Sequence, residues 1–156
     1  MVTFVIPFRV NGKTRLGDGQ LARAMLADVQ AAVGDAIVVE TPGGQGPAVA
    51  AALADVEGPV TIVNSDLPCA TAAELAELTA AAPALVAADD GTTNALALQD
   101  ARDFEPLYGS GSAARFESRL GARRLDLPGL RDDVDTWDDL ERVRPRVGEH
   151  TRAYLG

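Results

Sequence analysis

Short apolar segments alternate with helical patterns along almost the whole chain, and this alternation restricts the possible folds more than any other feature. The predicted strands cover residues 3–8, 36–40, 60–64, 84–88, 95–99 and 123–127. The predicted helices cover residues 21–33, 48–54, 71–82, 112–120 and 136–143, and a Gly/Pro turn is predicted at 42–47. Thr71 and Glu74 match a capping box at the start of the third helix. Repeated alternation of this kind predicts an α/β fold with three layers around a mostly parallel sheet.

Length and composition narrow the class of protein. The 156 residues suffice for a normal buried core, and we expect a single domain over residues 1–156. One cysteine, Cys69, allows no internal disulfide, which favours a reducing cytoplasm. The sequence shows neither a secretory leader pattern nor an apolar run of membrane-spanning length. The net charge of −9 disfavours nucleic acid and anionic membranes as partners. We therefore expect a cytoplasmic protein that binds small molecules, and the sequence leaves a homodimer open.

The single lysine, Lys13, lies in the loop that follows the first predicted strand. The loop between a first strand and a first helix is where open α/β sheets bind phosphates. Lys13 and Arg15 would supply positive charge for a triphosphate there. A P-loop is disfavoured, because Pro7 stands where that motif needs its first glycine. The alternative is that both cations are ordinary solvated loop charges.

Aspartates occur at the ends of two predicted elements. Asp66 follows the predicted strand 60–64, and Asp133 and Asp135 precede the last predicted helix. Each is suited to capping the helix or turn that follows it. Together the three carboxylates offer the oxygen ligands that Mg²⁺ takes alongside substrate phosphates. The sequence leaves both interpretations open.

A third cluster combines small hydroxyl, amide and glycine residues. It consists of Thr93, Asn94, Gly109, Gly111 and Ser112, and Ser112 begins a predicted helix. Such residues can present N–H and O–H donors to an anionic substrate. The same residue types also dominate ordinary turns.

The order of these clusters resembles the 2-phospho-L-lactate/phosphoenolpyruvate guanylyltransferases of coenzyme F420 biosynthesis. The matching segments cover nearly the whole chain: VIPF and then GKTRL at 12–16, ARAMLADVQAAV at 22–33, SDLP at 65–68, GTTNALAL at 91–98, YGSGS at 108–112 and DVDTWDDL at 133–140. Of these, GTTNALAL and YGSGS are the most diagnostic pair.

The resemblance implies a nucleotidyltransferase fold of the GT-A-like, Rossmann-like type and a Mg²⁺-dependent reaction. GTP and a phosphorylated three-carbon acid would give a guanylylated diester and pyrophosphate. The acid would be 2-phospho-L-lactate, phosphoenolpyruvate or 3-phosphoglycerate. Such a reaction needs no strong base, because a phosphomonoester is already anionic at neutral pH.

The resemblance also implies roles for residues in three groups. Lys13 and Arg15 match the basic pair near the triphosphate, and Asp66 matches a metal-binding aspartate with Asp135 or Asp133 as its partner. The residues matching those that hold the phospho-acid are Thr93, Gly109 and Ser112.

Two positions differ from the family pattern, and the first bears on recognition of the base. Ala50 replaces an asparagine common in relatives, and Trp137 replaces a proline. A nucleotidyltransferase for a sugar phosphate or a molybdenum cofactor would share the Lys13 loop and the aspartates. A non-catalytic nucleotide-binding module is the other alternative.

His150 and Cys69 are expected to take no part in catalysis.

Overall fold

A computed structural model describes residues 1–9 and 19–156. Within those residues the strands are β1 (Thr3–Phe8), β2 (Ile37–Glu40), β3 (Val60–Val63), β4 (Ala84–Ala87), β5 (Thr93–Leu98) and β6 (Arg123–Arg124). The helices are α1 (Gly19–Val33), α2 (Gln45–Leu53), α3 (Ala72–Ala80), α4 (Ser112–Leu120), α5 (Pro128–Arg131), α6 (Trp137–Val143) and α7 (Glu149–Leu155).

The strands form one sheet in the order β2-β1-β3-β5-β4-β6. Strand β5 runs antiparallel to both of its neighbours, β3 and β4, and the other neighbouring strands pair in parallel. The predicted α/β class and mostly parallel sheet are confirmed. The reversal of β5 places its first residues at the sheet edge where β3 and β4 end.

Each face of the sheet is covered by helices, which gives the predicted three layers. On one face, α1, α3 and α5 bury residues such as Val29, Leu78 and Leu130 against Ala95 of β5. On the other face, α2 and α4 bury residues such as Leu53 and Phe116 against Leu96 of β5. Burial of an aliphatic or aromatic side chain stabilises the fold by about 1.5 to 3 kcal/mol, so these two cores dominate its stability.

A β-bulge interrupts the pairing of β4 with β5 at Asn94. Ala87 lies opposite Thr93 and Val86 lies opposite Ala95, so Asn94 has no opposite residue on β4. An extra residue of this kind disturbs the alternation of side chains between the two faces of a sheet. Thr93 and Asn94, the polar pair that begins β5, therefore do not continue the alternation of the apolar residues that follow them.

The sequence predicted most elements, with differences at their ends. Helix α4 has the predicted bounds, whereas α2 begins at Gln45, inside the segment predicted as a turn. Strand β6 is two residues long, shorter than the predicted 123–127. Helices α5 and α7 were not predicted.

The capping box predicted for α3 forms in part, because Thr71 accepts a hydrogen bond from the Glu74 N–H at 3.2 Å and is the N-cap of the helix. The Glu74 carboxylate instead accepts from the N–H of Gly129 at 2.8 Å and so ties α3 to α5. A complete capping box is formed at α6 by Thr136 and Asp139. Of the helices in the described ranges, none combines the length and apolar character needed to cross a membrane.

Candidate functional site

A polar cleft lies where the parallel strands β1, β2 and β3 end. Its walls include Pro7 and Arg9 at the end of β1 and Asn64, Ser65 and Asp66 after β3. Open α/β sheets bind ligands at this edge, outside the carboxyl ends of the strands. The position of the cleft therefore agrees with a substrate site.

Three carboxylates meet beside this cleft. One oxygen from each of Asp66, Asp133 and Asp135 lies within 4.8 Å of the other two, and all three residues are half-buried. A backbone hydrogen bond of 3.0 Å from Val134 N–H to the Asp66 carbonyl joins the two chain segments that carry them. Carboxylates from two segments thus converge closely enough for a hard divalent cation to bind between them after a small movement.

The helices that follow these aspartates take their N-caps from threonines. The N-cap of α3, the helix after Asp66, is Thr71, and the N-cap of α6 is Thr136. Asp139 accepts hydrogen bonds from the N–H groups of Asp135 and Thr136, at 2.9 and 3.1 Å. The capping interpretation of Asp133 and Asp135 is therefore wrong for α6.

The carboxylate before this segment has a different environment. Asp132 is buried and pairs with the guanidinium groups of Arg131, at 2.9 Å, and Arg146. Burial opposes ionisation, but the hydrogen bonds from the two arginines outweigh it and lower the pKa of Asp132 below its usual value. The ion pairs anchor the backbone just before Asp133.

The polar residues at the start of β5 hydrogen-bond within the protein. The hydroxyl groups of Thr93 and Ser112 lie 2.8 Å apart, and both residues are buried. The side-chain nitrogen of Asn94 donates to the carbonyl oxygens of Leu130 and Arg131 at 3.0 and 2.9 Å. These predicted substrate-binding residues therefore join β5 to α4 and to the segment that carries the aspartates.

The loop before α4 contains the other two predicted substrate-binding residues. Gly109 and Gly111 have φ values of +111° and +76°, which residues with a Cβ rarely adopt. The Arg115 guanidinium donates to the carbonyl oxygens of Leu107, at 2.8 Å, and Ser110, at 2.6 Å. Because C=O and N–H point in opposite directions across a trans peptide, the N–H group of Gly111 points away from Arg115. Outward N–H groups of this kind can bind an anion.

The predicted triphosphate-binding cations, Lys13 and Arg15, lie outside the described residues. Arg9, which the sequence analysis did not single out, is exposed and lines the cleft. Gln45 was also missed. Its amide donates to Asn64 Oδ1 at 2.8 Å and its side chain bonds with Tyr108, whose pKa is raised by burial. The only sequence signal for Arg9 is its place directly after the first predicted strand.

Curated relatives share the sequence over much of its length. A phosphoenolpyruvate guanylyltransferase of Streptomyces scabiei is 37% identical over 165 residues, which covers 92% of this chain and 73% of the relative. The enzymes so named from Streptomyces coelicolor and Nocardia farcinica are 38% and 42% identical, over 79% and 60% of this chain. The chain belongs to the phosphoenolpyruvate guanylyltransferase family. The predicted family is thereby confirmed.

The chain spans less than two thirds of the length of two of these relatives. It spans 44% of the Nocardia farcinica relative and 65% of the Streptomyces coelicolor relative. The match with the Streptomyces scabiei relative extends over 165 positions, more than the 156 residues of this chain. That relative therefore has residues with no counterpart here.

Solved structures of other proteins share the fold of this phosphoenolpyruvate guanylyltransferase family member. A Desulfovibrio desulfuricans protein described as a nucleotide-diphospho-sugar transferase superposes with a TM-score of 0.74 at 18% identity, covering 99% of this chain and 93% of that one. A mycobacterial homologue of a Mycobacterium tuberculosis protein gives a TM-score of 0.57 at 20% identity, covering 96% and 98%. Comparison with protein-family models gives no match. The structural likeness agrees with the predicted nucleotidyltransferase fold.

Proposed function

We propose that this chain transfers the guanylyl group of GTP to phosphoenolpyruvate, with release of pyrophosphate. The observation that carries the proposal is the convergence of Asp66, Asp133 and Asp135 beside a polar cleft at the carboxyl ends of the strands. Family membership favours these substrates, because the relatives are named phosphoenolpyruvate guanylyltransferases. 2-Phospho-L-lactate and 3-phosphoglycerate are alternative acceptors, and the product would serve coenzyme F420 biosynthesis.

The reaction is a substitution at phosphorus. An oxygen of the acceptor phosphate forms a bond to the α-phosphorus of GTP, the bond from that phosphorus to the bridging oxygen breaks, and pyrophosphate leaves with the electron pair. The acceptor is largely dianionic near neutral pH, so no residue must remove a proton from it. Burial raises the pKa of Cys69 to about 11, which agrees with the expectation that it takes no part. Positioning and charge neutralisation would supply most of the rate enhancement.

The three carboxylates fit a bound Mg²⁺. An octahedral magnesium has ligand oxygens about 3 to 4 Å apart, because each lies about 2.1 Å from the ion. The oxygens of Asp66, Asp133 and Asp135 lie within 4.8 Å of one another, so a small movement would suffice. When bound, Mg²⁺ would neutralise charge on the phosphates that it contacts.

Protein cations and donors would hold the two substrates. Lys13 and Arg15 are proposed to contact the triphosphate, together with Arg9 at the end of β1. The N–H groups of Gly109 and Gly111 are proposed to contact the phospho-acid, next to the hydroxyl pair of Thr93 and Ser112. Asn94 is buried, so its part in substrate binding would be indirect.

The test measures pyrophosphate release with each of GTP, ATP, CTP and UTP against the three candidate acids. We expect turnover with GTP and phosphoenolpyruvate that requires Mg²⁺ and that Asp66→Asn reduces at least about a hundredfold, since the substitution removes a charged metal ligand. Asp103→Asn is the matched control, because Asp103 is exposed in a short turn after β5 and should not affect turnover. GTP binding without turnover for any acid would contradict the proposal and favour a nucleotide-binding module.

A further inference from the structure

We propose that Asn94 is a positioning residue that sets the geometry of the three-carboxylate site. This inference rests on the proposed function, because it assigns Asn94 a part in binding the metal through Asp133. Asn94 would contact neither the metal nor the substrates. Its side chain would act by holding Asp133 and the backbone just before it, while its backbone bonds to the segment that leads to Asp66.

The side chain of Asn94 holds the segment before and at Asp133. Asn94 is only 3% exposed, and its Nδ2 lies 3.0 Å from the Leu130 carbonyl oxygen and 2.9 Å from that of Arg131. The same nitrogen lies 3.3 Å from Oδ1 of Asp133. One amide group thus contacts the backbone on the approach to the site and one of the proposed ligands.

The backbone of Asn94 holds the segment that leads to Asp66. The Asn94 carbonyl accepts a hydrogen bond of 2.9 Å from the N–H of Asn64, two residues before Asp66. The side chain of Asn64 in turn donates to the carbonyl of Thr93 at 3.1 Å. Both carboxylate-bearing segments are therefore bonded to the first two residues of β5.

The β-bulge explains how Asn94 reaches the segment 130–133. Ala95 packs with Leu130 on one face of the sheet, and Thr93 bonds to Ser112 of α4 on the other face. Strict alternation would put Asn94 on the face opposite Ala95. The bulge instead lets Asn94 bond on the same side as Ala95. Bulges commonly reorient a side chain next to a functional site.

The test measures Mn²⁺ binding to the purified, nucleotide-free protein by electron paramagnetic resonance titration. We expect Asn94→Ala to weaken Mn²⁺ binding about tenfold, the lower end of the effect of removing a partner of a metal ligand. Asn94→Ser is a second variant, which keeps a polar group at this position. Its side chain is too short to reach the two carbonyl oxygens and Asp133 Oδ1, so we expect the same loss of Mn²⁺ affinity. Gln99→Ala is the matched control, because this exposed amide just after β5 also donates to a carbonyl, that of Ala82 at 3.1 Å.

A double-mutant cycle separates positioning from general destabilisation. If Asn94 acts through Asp133, Asn94→Ala should have little further effect on Mn²⁺ affinity in an Asp133→Asn background. An equal loss in both backgrounds would overturn the inference. The inference would also be overturned if Asp133→Asn weakened Mn²⁺ binding while Asn94→Ala and Asn94→Ser both bound Mn²⁺ as tightly as the wild-type protein. Absence of Mn²⁺ binding by the wild-type protein would instead contradict the metal site of the proposed function, and the inference with it.

Discussion

Gly109 adopts a backbone conformation that other residues avoid, and it does so beside the proposed acid-binding N–H groups. With φ at +111°, a β-branched side chain would be strained by about 1 to 3 kcal/mol. We expect Gly109→Val to raise KM for phosphoenolpyruvate at least about tenfold and to change KM for GTP much less, since 1.4 kcal/mol corresponds to a factor of ten. Steady-state kinetics with each substrate varied in turn measures both constants.

Gly43→Val is the control for this substitution. Gly43 is exposed in the turn after β2, has no positive φ, and an added Cβ there meets no atom within 4 Å. It should leave both constants unchanged. If Gly109→Val instead raised KM for GTP and spared the acid, the loop would belong to the nucleotide half of the site.

At the residue scale, the proximity of the aspartates could be predicted, but their surroundings could not. Asp66 follows a buried strand and Asp133 precedes a helix, and α/β folds often place both kinds of position at the edge where the strands end. Asn94 looked like a turn residue because a polar pair interrupts the apolar pattern of its strand. Its partners lie 36 and 37 residues away in sequence, beyond the reach of any local pattern.

At the scale of elements, the N-terminus of α7 is capped by a residue distant in sequence. Asp28, buried in α1, accepts hydrogen bonds of 2.9 Å from the N–H groups of both His150 and Thr151 in the first turn of α7. A carboxylate at a helix N-terminus is stabilising because it satisfies N–H groups that have no partner within the helix. Gly148 lacks a Cβ at the point where one would collide with the Asp28 carboxylate.

Replacing Asp28 should therefore weaken the attachment of α7. We expect Asp28→Ala to lower the free energy of unfolding by about 2 kcal/mol, the cost of a lost cap and its buried hydrogen bonds. Hydrogen exchange in residues 149–155 should accelerate. Chemical denaturation and exchange mass spectrometry measure the two effects.

Asp35→Ala provides the comparison, since Asp35 is exposed just beyond α1. It should change stability by less than about 0.5 kcal/mol, as surface substitutions usually do. Equal destabilisation by the two substitutions would mean that Asp28 contributes no more than a surface charge.

Local signals explain which elements could be predicted. Helix α4 is flanked by Gly111 and Gly121, both in left-handed conformations, so its bounds are marked in the sequence. Helix α2 follows Gly44 without a side-chain cap, so its first residues resembled a turn. Helix α7 takes its cap from α1, and for that reason the sequence near residue 149 shows no capping residue.

At the scale of the whole molecule, substrate and metal should stabilise the folded chain together. A ligand that binds only the folded state adds about 2.7 kcal/mol at a concentration 100 times its Kd. For a chain of this size we expect GTP with Mg²⁺ to raise the melting temperature by about 5 to 10 °C, an effect that EDTA should reverse. Differential scanning calorimetry measures the shift.

The metal dependence of that shift is the informative part. Asp66→Asn should remove most of the Mg²⁺-dependent rise, because Asp66 is a proposed ligand. Asp103→Asn should keep the rise. A full shift with GTP in EDTA would mean that the nucleotide binds without the carboxylate site.

The reversed direction of β5 has a consequence for how the length of this chain can change during evolution. Strands β4 and β5 are joined by a tight turn over residues 88–92, and the bulge at Asn94 follows it directly. If one residue were gained or lost in this turn and the pairing shifted with it, Thr93 and Asn94 would exchange faces and lose their partners. Insertions and deletions should therefore be rare in this turn. The extra residues of longer relatives are expected in connections elsewhere, and comparing hairpin lengths across the family tests that expectation.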